Sequence, residues 1–419
     1  MIVLDIIFLF ITTYCFLKAF KSIVTYKSYS VVDYVIAIIY VFNCLPVLFD
    51  LSIGIPEYFI WFEPLETAMH HEKTCLIYNV YVALSFLILL SYKTKRDKRM
   101  YEYNSKLNYI IQHTKRANIL SYIIIPLPFI YALSQYGIGI FLQYTSLAHR
   151  GVEDSGFINF LLMLSSFFAI TNFLKLPKKN LFHILLLLMY LFLAVYLNGK
   201  RYIIVTLLIM LLYYYEQRSH GTSKKINLKL IYSLIAIGIV LFSFFYFATV
   251  RFDHSANDNM YAMLRIDFGR DDVTKFVIHR EFIENKPILE YPGQSVLSTI
   301  FAWVPREIWH SKPYPHFRYL TAAIINADIE DQFAGMTPSI YEMSIANFGF
   351  IGIILTPIII LFLCKFADRS NSIETKLLYL LIIINLLTQG IDASLAFIFL
   401  LFLYSAYNKI FKRIRFYAI

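Results

Sequence analysis

Long runs of hydrophobic residues, separated by shorter polar stretches, extend over most of this chain. The hydrocarbon core of a bilayer is about 30 Å thick and requires about 20 mostly apolar residues per helix. Eleven runs reach or approach that length, near residues 2–18, 31–53, 75–92, 118–134, 157–174, 181–198, 201–215, 228–249, 347–364, 376–389 and 393–409. The pattern predicts an all-α integral membrane protein with about 11 transmembrane helices.

One polar stretch, residues 250–346, is far longer than ordinary connections, so we expect it to contain structure of its own. Asp271 to Asn285 has the spacing of an amphipathic helix, whereas the apolar run Ser295 to Val304 is too short to span and is typical of a re-entrant or interfacial segment. The predicted organisation has three parts. They are transmembrane helices 1–8 in residues 1–249, a large external loop over the membrane in 250–346, and transmembrane helices 9–11 in 347–419.

Composition and charge agree with a membrane location. Only 16% of the 419 residues are charged and 58% are hydrophobic, whereas soluble proteins carry about 25% charged residues. The net charge is +10, and 25 of the 38 Lys and Arg residues fall in or beside the segments that follow odd-numbered spans. Because cytoplasmic loops retain positive charge, we predict an external N-terminus and a cytoplasmic C-terminus. The basic excess therefore requires no nucleic acid partner.

The basic residues on the predicted external side are the exception to this charge bias. Arginine presents a planar fork of donors that matches phosphate oxygens, so a lipid-linked phosphate or pyrophosphate is the simplest ligand for them. The alternative is that they extend to lipid headgroups or pair with acids of the loop. The candidate pyrophosphate ligands are Arg150, Arg201, Arg251, Arg265 and Arg306.

Two segments carry a resemblance to a known family. The first runs Val304-Pro-Arg-Glu-Ile-Trp-His-Ser-Lys-Pro313, and the second runs Gly335-Met-Thr-Pro-Ser-Ile-Tyr-Glu342 and continues into Asn347-Phe-Gly-Phe-Ile-Gly352. In these segments the chain resembles the Wzy-type repeat-unit polymerases of O-antigen and capsule. The resemblance implies a GT-C-like membrane glycosyltransferase in the bacterial plasma membrane, with its active site facing outside.

The same resemblance implies the substrates. Undecaprenyl-pyrophosphate-linked oligosaccharides would serve as donor and acceptor, and repeat units would be joined into surface polysaccharide without a cofactor. Membrane lipids are expected partners, and a chain-length regulator protein stays open as another.

Such a reaction needs fixed positive charge at the leaving pyrophosphate and a base for the acceptor hydroxyl. Glu342, just ahead of the ninth predicted span, is the first candidate base because partial burial raises a carboxyl pKa; it is equally a candidate helix cap or arginine partner. His310 is the second candidate base, with an interfacial side chain as the alternative. The group at 66–71 lacks three ligands at convincing spacing, and the acid run at 328–331 is typical of a solvated external loop. No metal site is therefore predicted, and we expect metal independence.

Two other functions stay open. An O-antigen ligase would use the same lipid-pyrophosphate donor, whereas a transporter or flippase would move lipid-linked oligosaccharide without chemistry. A transporter is expected to have broken helices and charges near the midplane. The predicted spans are nearly free of ions, which favours an enzyme that works at the membrane surface.

Overall fold

The computed structural model describes residues 2–25, 30–58, 62–103, 119–142, 155–176, 180–198, 202–219, 261, 265, 268–330, 335–370 and 372–405. Within these ranges all regular secondary structure is helical and no strand occurs, which confirms the all-α prediction. The helices, in chain order, are α1 (Ile2–Val24), α2 (Val32–Ile53), α3 (Glu63–His70), α4 (Glu72–Tyr103), α5 (Ile119–Ile124), α6 (Leu127–Tyr136), α7 (Ser155–Lys175), α8 (Leu181–Asn198), α9 (Tyr202–Ser219), α10 (Asp271–Ile278), α11 (Gln294–Ile300), α12 (His316–Ile325), α13 (Ile340–Phe348), α14 (Phe350–Arg369), α15 (Ile373–Thr388) and α16 (Asp392–Ser405).

Among the described residues, five helices are long and apolar enough to cross a membrane: α1, α2, the first 22 residues of α4, α7 from Gly156, and α14. They coincide with five of the eleven predicted runs, and α8 and α16 are shorter apolar helices. The run near 118–134 is divided into α5 and α6 at Pro126, and the run near 228–249 lies outside the described residues. The chain is therefore a multi-pass, membrane-embedded protein.

The chain divides into two compact units. The first comprises Met1–Arg99, Asn257–Arg369 and Ile382–Ser394, and the second comprises Met100–Ala256, Ser370–Leu381 and Leu395–Ile419. In the second unit α7 packs against α5, α6, α8 and α9. The residues singled out from the sequence that the structure describes all belong to the first unit.

The span α2 is not a regular helix. It contains a π-helical turn, Tyr40–Cys44, just before Pro46. Proline has no N–H and its ring clashes with the carbonyl four residues earlier, here that of Phe42, so the local sequence accounts for the irregularity. The Phe42 carbonyl accepts the N–H of Arg270 at 3.0 Å, and the Asn43 carbonyl accepts the hydroxyl of Tyr78 at 2.7 Å. The π-turn thus binds a segment of the predicted loop near the middle of a span.

A helical hairpin joins the predicted loop to α14. The chain reverses at Gly349, whose φ of 56° lies in the left-handed region, and Gly352 approaches the carbonyl of Ser344 so closely that a Cβ would collide with it. Deeper in the hairpin, Thr356 Oγ1 donates to the Ile340 carbonyl at 3.2 Å, and Tyr81 of α4 donates to Thr356 Oγ1 at 2.6 Å. Helix α13 therefore runs beside the first turns of α14 instead of lying above it.

Asp368, near the end of α14, accepts three hydrogen bonds from other segments of the first unit. Its carboxylate accepts the Ser30 hydroxyl at 2.6 Å, the Val31 N–H at 3.0 Å and the Tyr92 hydroxyl at 3.2 Å. These contacts bring the start of α2 and the end of the α4 span to one level.

Candidate functional site

A buried cluster of ions lies between the end of α2 and the start of α10. Arg265 is buried and donates from Nε to Asp50 Oδ1 at 3.0 Å and from Nη2 to Asp50 Oδ2 at 2.8 Å. The same guanidinium donates from Nη1 to Asp271 Oδ1 at 2.8 Å, and Lys275 Nζ donates to Asp271 Oδ2 at 2.9 Å. The fork of Arg265 is therefore occupied by two carboxylates, where the sequence predicted a pyrophosphate.

Two adjacent carboxyl groups of this cluster have opposite pKa shifts. Burial opposes ionisation of Asp271, but Arg265 and Lys275 hold its pKa well below the ordinary value. Burial, followed by the charge of Asp271, raises the pKa of Asp272 to about 6. Tyr58 donates its hydroxyl to Asp272 Oδ2 at 3.2 Å. Strongly shifted carboxyl groups of this kind occur both in functional sites and in structural ion networks.

The cluster extends towards the π-turn of α2. Arg270 directly precedes Asp271 of the cluster. It donates from its N–H to the Phe42 carbonyl and from Nε to the Thr388 carbonyl at 2.9 Å. A π-helical turn, His279–Ile283, continues α10, so residues 271–283 of the predicted amphipathic segment are helical, and all eight residues of α10 itself are buried, including its charged ones. The reason is that Asp271, Asp272 and Lys275 find partners inside the unit. Charge at such depth is costly and is retained here in paired form.

A second group of charges surrounds Tyr314, between α11 and α12. The Arg306 guanidinium carbon lies 3.8 Å from the centre of the Tyr314 ring, and that of Arg318 lies 4.9 Å from it. Arg306 donates to the carbonyls of Lys312 at 2.7 Å and Pro313 at 3.1 Å, while Lys312 Nζ donates to the Val304 carbonyl at 2.9 Å. These bonds fold residues 304–314 into a compact turn. We call Arg306, Lys312, Tyr314 and Arg318 the cationic cluster.

The cationic cluster is partly exposed, and its members are half-buried. In the described part of the chain, neither Arg306 nor Lys312 forms an ion pair with a carboxylate, although Asp392 exerts a weaker attraction on Lys312. Burial, followed by repulsion from Arg306, lowers the pKa of Lys312. The pKa of Arg318 is also lowered, by burial first and by Arg306 as well, although Tyr314 opposes the shift. Arg306 thus repels both Lys312 and Arg318, and an anionic ligand would relieve this repulsion.

Glu342 and His310, the two candidate bases, lie in different surroundings. Glu342 is fully buried, and both of its carboxylate oxygens accept hydrogen bonds from Ser339, one from the backbone N–H and one from the hydroxyl. The backbone contact, together with the Tyr341 N–H that donates to Ser339 Oγ at 3.3 Å, belongs to a capping box at the start of α13. His310 is exposed in the turn that carries the cationic cluster. The geometry favours the helix-cap alternative for Glu342, whereas the side chain of His310 is accessible to a substrate.

A buried polar triad that the sequence did not reveal supports α11. The Asn347 amide donates to Ser295 Oγ at 2.7 Å and to the Met343 carbonyl at 2.7 Å, and His316 Nδ1 lies 3.1 Å from Ser295 Oγ. Burial lowers the pKa of His316 to about 4, so the ring is neutral near pH 7. This triad joins α11, α12 and α13, and its serine is fully buried.

The other predicted pyrophosphate ligands, Arg150, Arg201 and Arg251, lie outside the described residues. The sequence prediction did not include Lys312 or Arg318 in the site. The family-like Lys312-Pro313 pair was a signal for the first, but no local pattern indicated that Arg318 meets the same tyrosine. Among described residues, no group of three or more His, Cys, Asp or Glu side chains is arranged to hold a metal ion.

Comparison of the chain with protein-family models, with curated proteins and with solved structures finds no match.

Proposed function

We propose that this protein is a membrane glycosyltransferase that polymerises undecaprenyl-pyrophosphate-linked oligosaccharide units into surface polysaccharide. The observation that carries the proposal is the cationic cluster, in which half-exposed cations gather around Tyr314 in a protein built from membrane helices. The positive charge of two guanidinium groups and an ammonium group would attract a pyrophosphate, while Arg306 and Lys312 also hold backbone carbonyls of the turn. The family-like segments of the sequence contain this same turn.

In the proposed reaction an acceptor hydroxyl attacks the anomeric carbon of the donor chain, and the bond to the lipid pyrophosphate breaks. Arg306, Arg318 and Lys312 would stabilise the charge that develops on the departing pyrophosphate. His310 is our first candidate for removing the hydroxyl proton, because its side chain is exposed in the same turn. Glu342 stays a candidate base only if Ser339 releases its carboxylate. Arg150, Arg201 and Arg251 stay proposed ligands of the second lipid pyrophosphate.

The proposal also includes a more detailed architecture than the five candidate spans described above. We propose that the chain has about eleven spans in a GT-C-like arrangement, with residues 250–346 on the outer face of a bacterial plasma membrane. The chain's own cations supply the positive charge, so we propose a metal-independent reaction that uses no cofactor. A chain-length regulator protein is a further proposed partner.

A second candidate function, transport of lipid-linked oligosaccharide, is favoured by one specific observation. The π-turn interrupts α2, and Arg270 reaches its Phe42 carbonyl beside the buried ion cluster. Interrupted helices with charges at their level are typical of transporters. We rank this function second, because the described ions of the cluster are paired with one another.

Deletion of the gene, followed by analysis of the carrier lipid and the cell surface, separates these functions. The polymerase predicts single repeat units on the surface. Units trapped on the cytoplasmic side would instead indicate the transporter, and long chains retained on the carrier lipid would indicate an O-antigen ligase.

A sharper test uses purified protein with lipid-linked repeat units. We expect Arg306→Gln and Lys312→Gln each to slow chain growth by about 10²–10³-fold, the effect of removing one donor to a developing anion. Lys286→Gln is the matched control, since this lysine is 65% exposed and lies outside the cationic cluster. Inorganic pyrophosphate should inhibit the wild-type protein more strongly than either variant. Unimpaired growth by both variants would refute the assigned site.

A further inference from the structure

The turn after α11 exposes three large apolar side chains outside the candidate spans. Ile300 is 58% exposed, Trp303 is 79% exposed and Ile308 is 77% exposed. Single exposed apolar residues are common on any protein, but three within nine positions of one turn are a concentration typical of an interaction surface. The question is which partner covers it.

Hydrogen bonds fix this turn at the level where membrane helices begin. The Gly293 N–H donates to the Asn347 carbonyl at 3.2 Å, and Asn347 directly precedes the hairpin into α14. At the other end of α11, the Thr299 hydroxyl donates to Asp392 Oδ1 at 2.6 Å, where α16 begins. Two apolar helices therefore start beside α11. The turn that follows α11 is therefore close to the starts of both helices.

The charges of the turn suit the same location. Lys312 Nζ donates to the carbonyls of Ala302 at 3.2 Å and Val304 at 2.9 Å, so one ammonium group bonds to the residues on both sides of Trp303. Arg306 follows two residues later. Cations placed beside exposed tryptophan complement anionic headgroups, while the indole ring prefers the layer just beneath them.

We infer that the turn Ile300–Ile308 is a membrane anchor whose partner is the surface of an anionic phospholipid bilayer. Trp303 and Ile308 insert about 5–10 Å into the boundary between headgroups and acyl chains. Trp309 is not part of the anchor, because its ring packs against Phe301 at 5.6 Å and its Nε1 donates to Ser311 at 3.0 Å. The anchor does not depend on any reaction at the cationic cluster, which it would hold at the level of lipid phosphates.

Depth-dependent fluorescence quenching tests the anchor. The full chain, with Trp61→Phe and Trp309→Phe, keeps Trp303 as its single tryptophan and is reconstituted into vesicles of phosphatidylcholine and phosphatidylglycerol. We expect lipids brominated near the top of their acyl chains to quench Trp303, and we expect acrylamide in the water to quench it weakly.

The matched control places the reporter at an exposed position away from the turn, by Lys286→Trp in a chain with Trp61→Phe, Trp303→Phe and Trp309→Phe. This tryptophan should be quenched by acrylamide and not by brominated lipid. If Trp303 behaves like the control, the anchor is refuted. Protection of Trp303 from both quenchers would also refute it, since another protein surface would then cover the turn. Neither result depends on glycosyltransferase activity.

Discussion

From the sequence, Glu342 could serve as a helix cap or as a catalytic base, whereas its contacts in the folded chain favour the cap. Its spacing from Ser339 suits a capping box, and its place ahead of a span suited a catalytic base. In the structure both oxygens are engaged by Ser339, and burial raises the carboxyl pKa to about 7. The group is therefore partly protonated near neutral pH, and its ionisation opposes folding.

We predict that Glu342→Gln removes a pH dependence of stability. Burial raises the pKa of Glu342 from 4.5 to about 7. The protonated carboxyl therefore contributes its full share to the free energy of unfolding below pH 4.5, and this contribution is lost as the pH rises through 7. The full effect is roughly 3 kcal/mol, at 1.36 kcal/mol per pKa unit. Glutamine keeps a capping box and cannot ionise. The apparent Tm of the variant in detergent should match wild type at pH 4.5 and exceed it at pH 8.

Glu330→Gln is the control for this comparison, since Glu330 is exposed and should leave the pH profile unchanged. A Glu342→Gln profile that falls in parallel with wild type would contradict the prediction. Polymerisation retained by Glu342→Gln would leave helix capping as the role of this residue.

At the scale of elements, the α13–α14 hairpin shows how backbone packing restricts two positions of the sequence to glycine. Gly349 takes a left-handed φ to reverse the chain, and Gly352 lets two helices approach at the Ser344 carbonyl. The neighbour at this point is backbone, which cannot move aside as the end of a flexible side chain can. The hairpin positions Asn347 under Ser295, and thereby supports α11 and the turn after it.

We predict that Gly352→Ala destabilises the protein by about 1–3 kcal/mol, the usual cost of overpacking a tight contact. Gly156→Ala is the matched control, because a Cβ there meets nothing within 4 Å and alanine favours a helix by up to about 1 kcal/mol. Apparent Tm in detergent is the measurement. An equal Tm for the two alanine variants would contradict the prediction, since α13 and α14 would then move apart at Gly352 without a loss of stability.

For the whole molecule, the central property is the side of the membrane on which each helix ends. Asp368 lies near one end of α14. Helix α11, which precedes the turn with Ser311, is hydrogen-bonded to Asn347 beside the other end. The positive charge bias of the sequence predicts that the Asp368 end faces the cytoplasm. The four cysteines are all buried, which makes introduced cysteines useful reporters of sidedness.

We predict that Ser311→Cys reacts with a membrane-impermeant maleimide in intact cells, whereas Arg369→Cys reacts only after the membrane is permeabilised. Both positions are exposed, and α14 separates them. The wild-type chain is the control and should remain unlabelled. Labelling of Arg369→Cys alone in intact cells would reverse the predicted orientation, and labelling of both would contradict a span at α14.

The sequence by itself determined the all-helical, membrane-embedded character of the chain. Run length and apolar content are local properties, and a run of about 20 apolar residues has only one favourable environment. Within the residues that the structure describes, the five helices long enough to span all coincide with predicted runs. Pro46 likewise predicts a local irregularity in α2, because its clash with Phe42 is a property of the chain itself.

Only the tertiary structure decided which charges are paired and which are exposed. Arg265 and Arg306 looked alike as candidate ligands, yet Arg265 is enclosed by Asp50, 215 positions away, while Arg306 faces Tyr314 in a half-exposed turn. Such pairing depends on contacts between residues distant in sequence, and no local pattern encodes it. The free energy of burying an ion is so large that partner choice, and not residue type, determines whether an arginine is structural or available to a ligand.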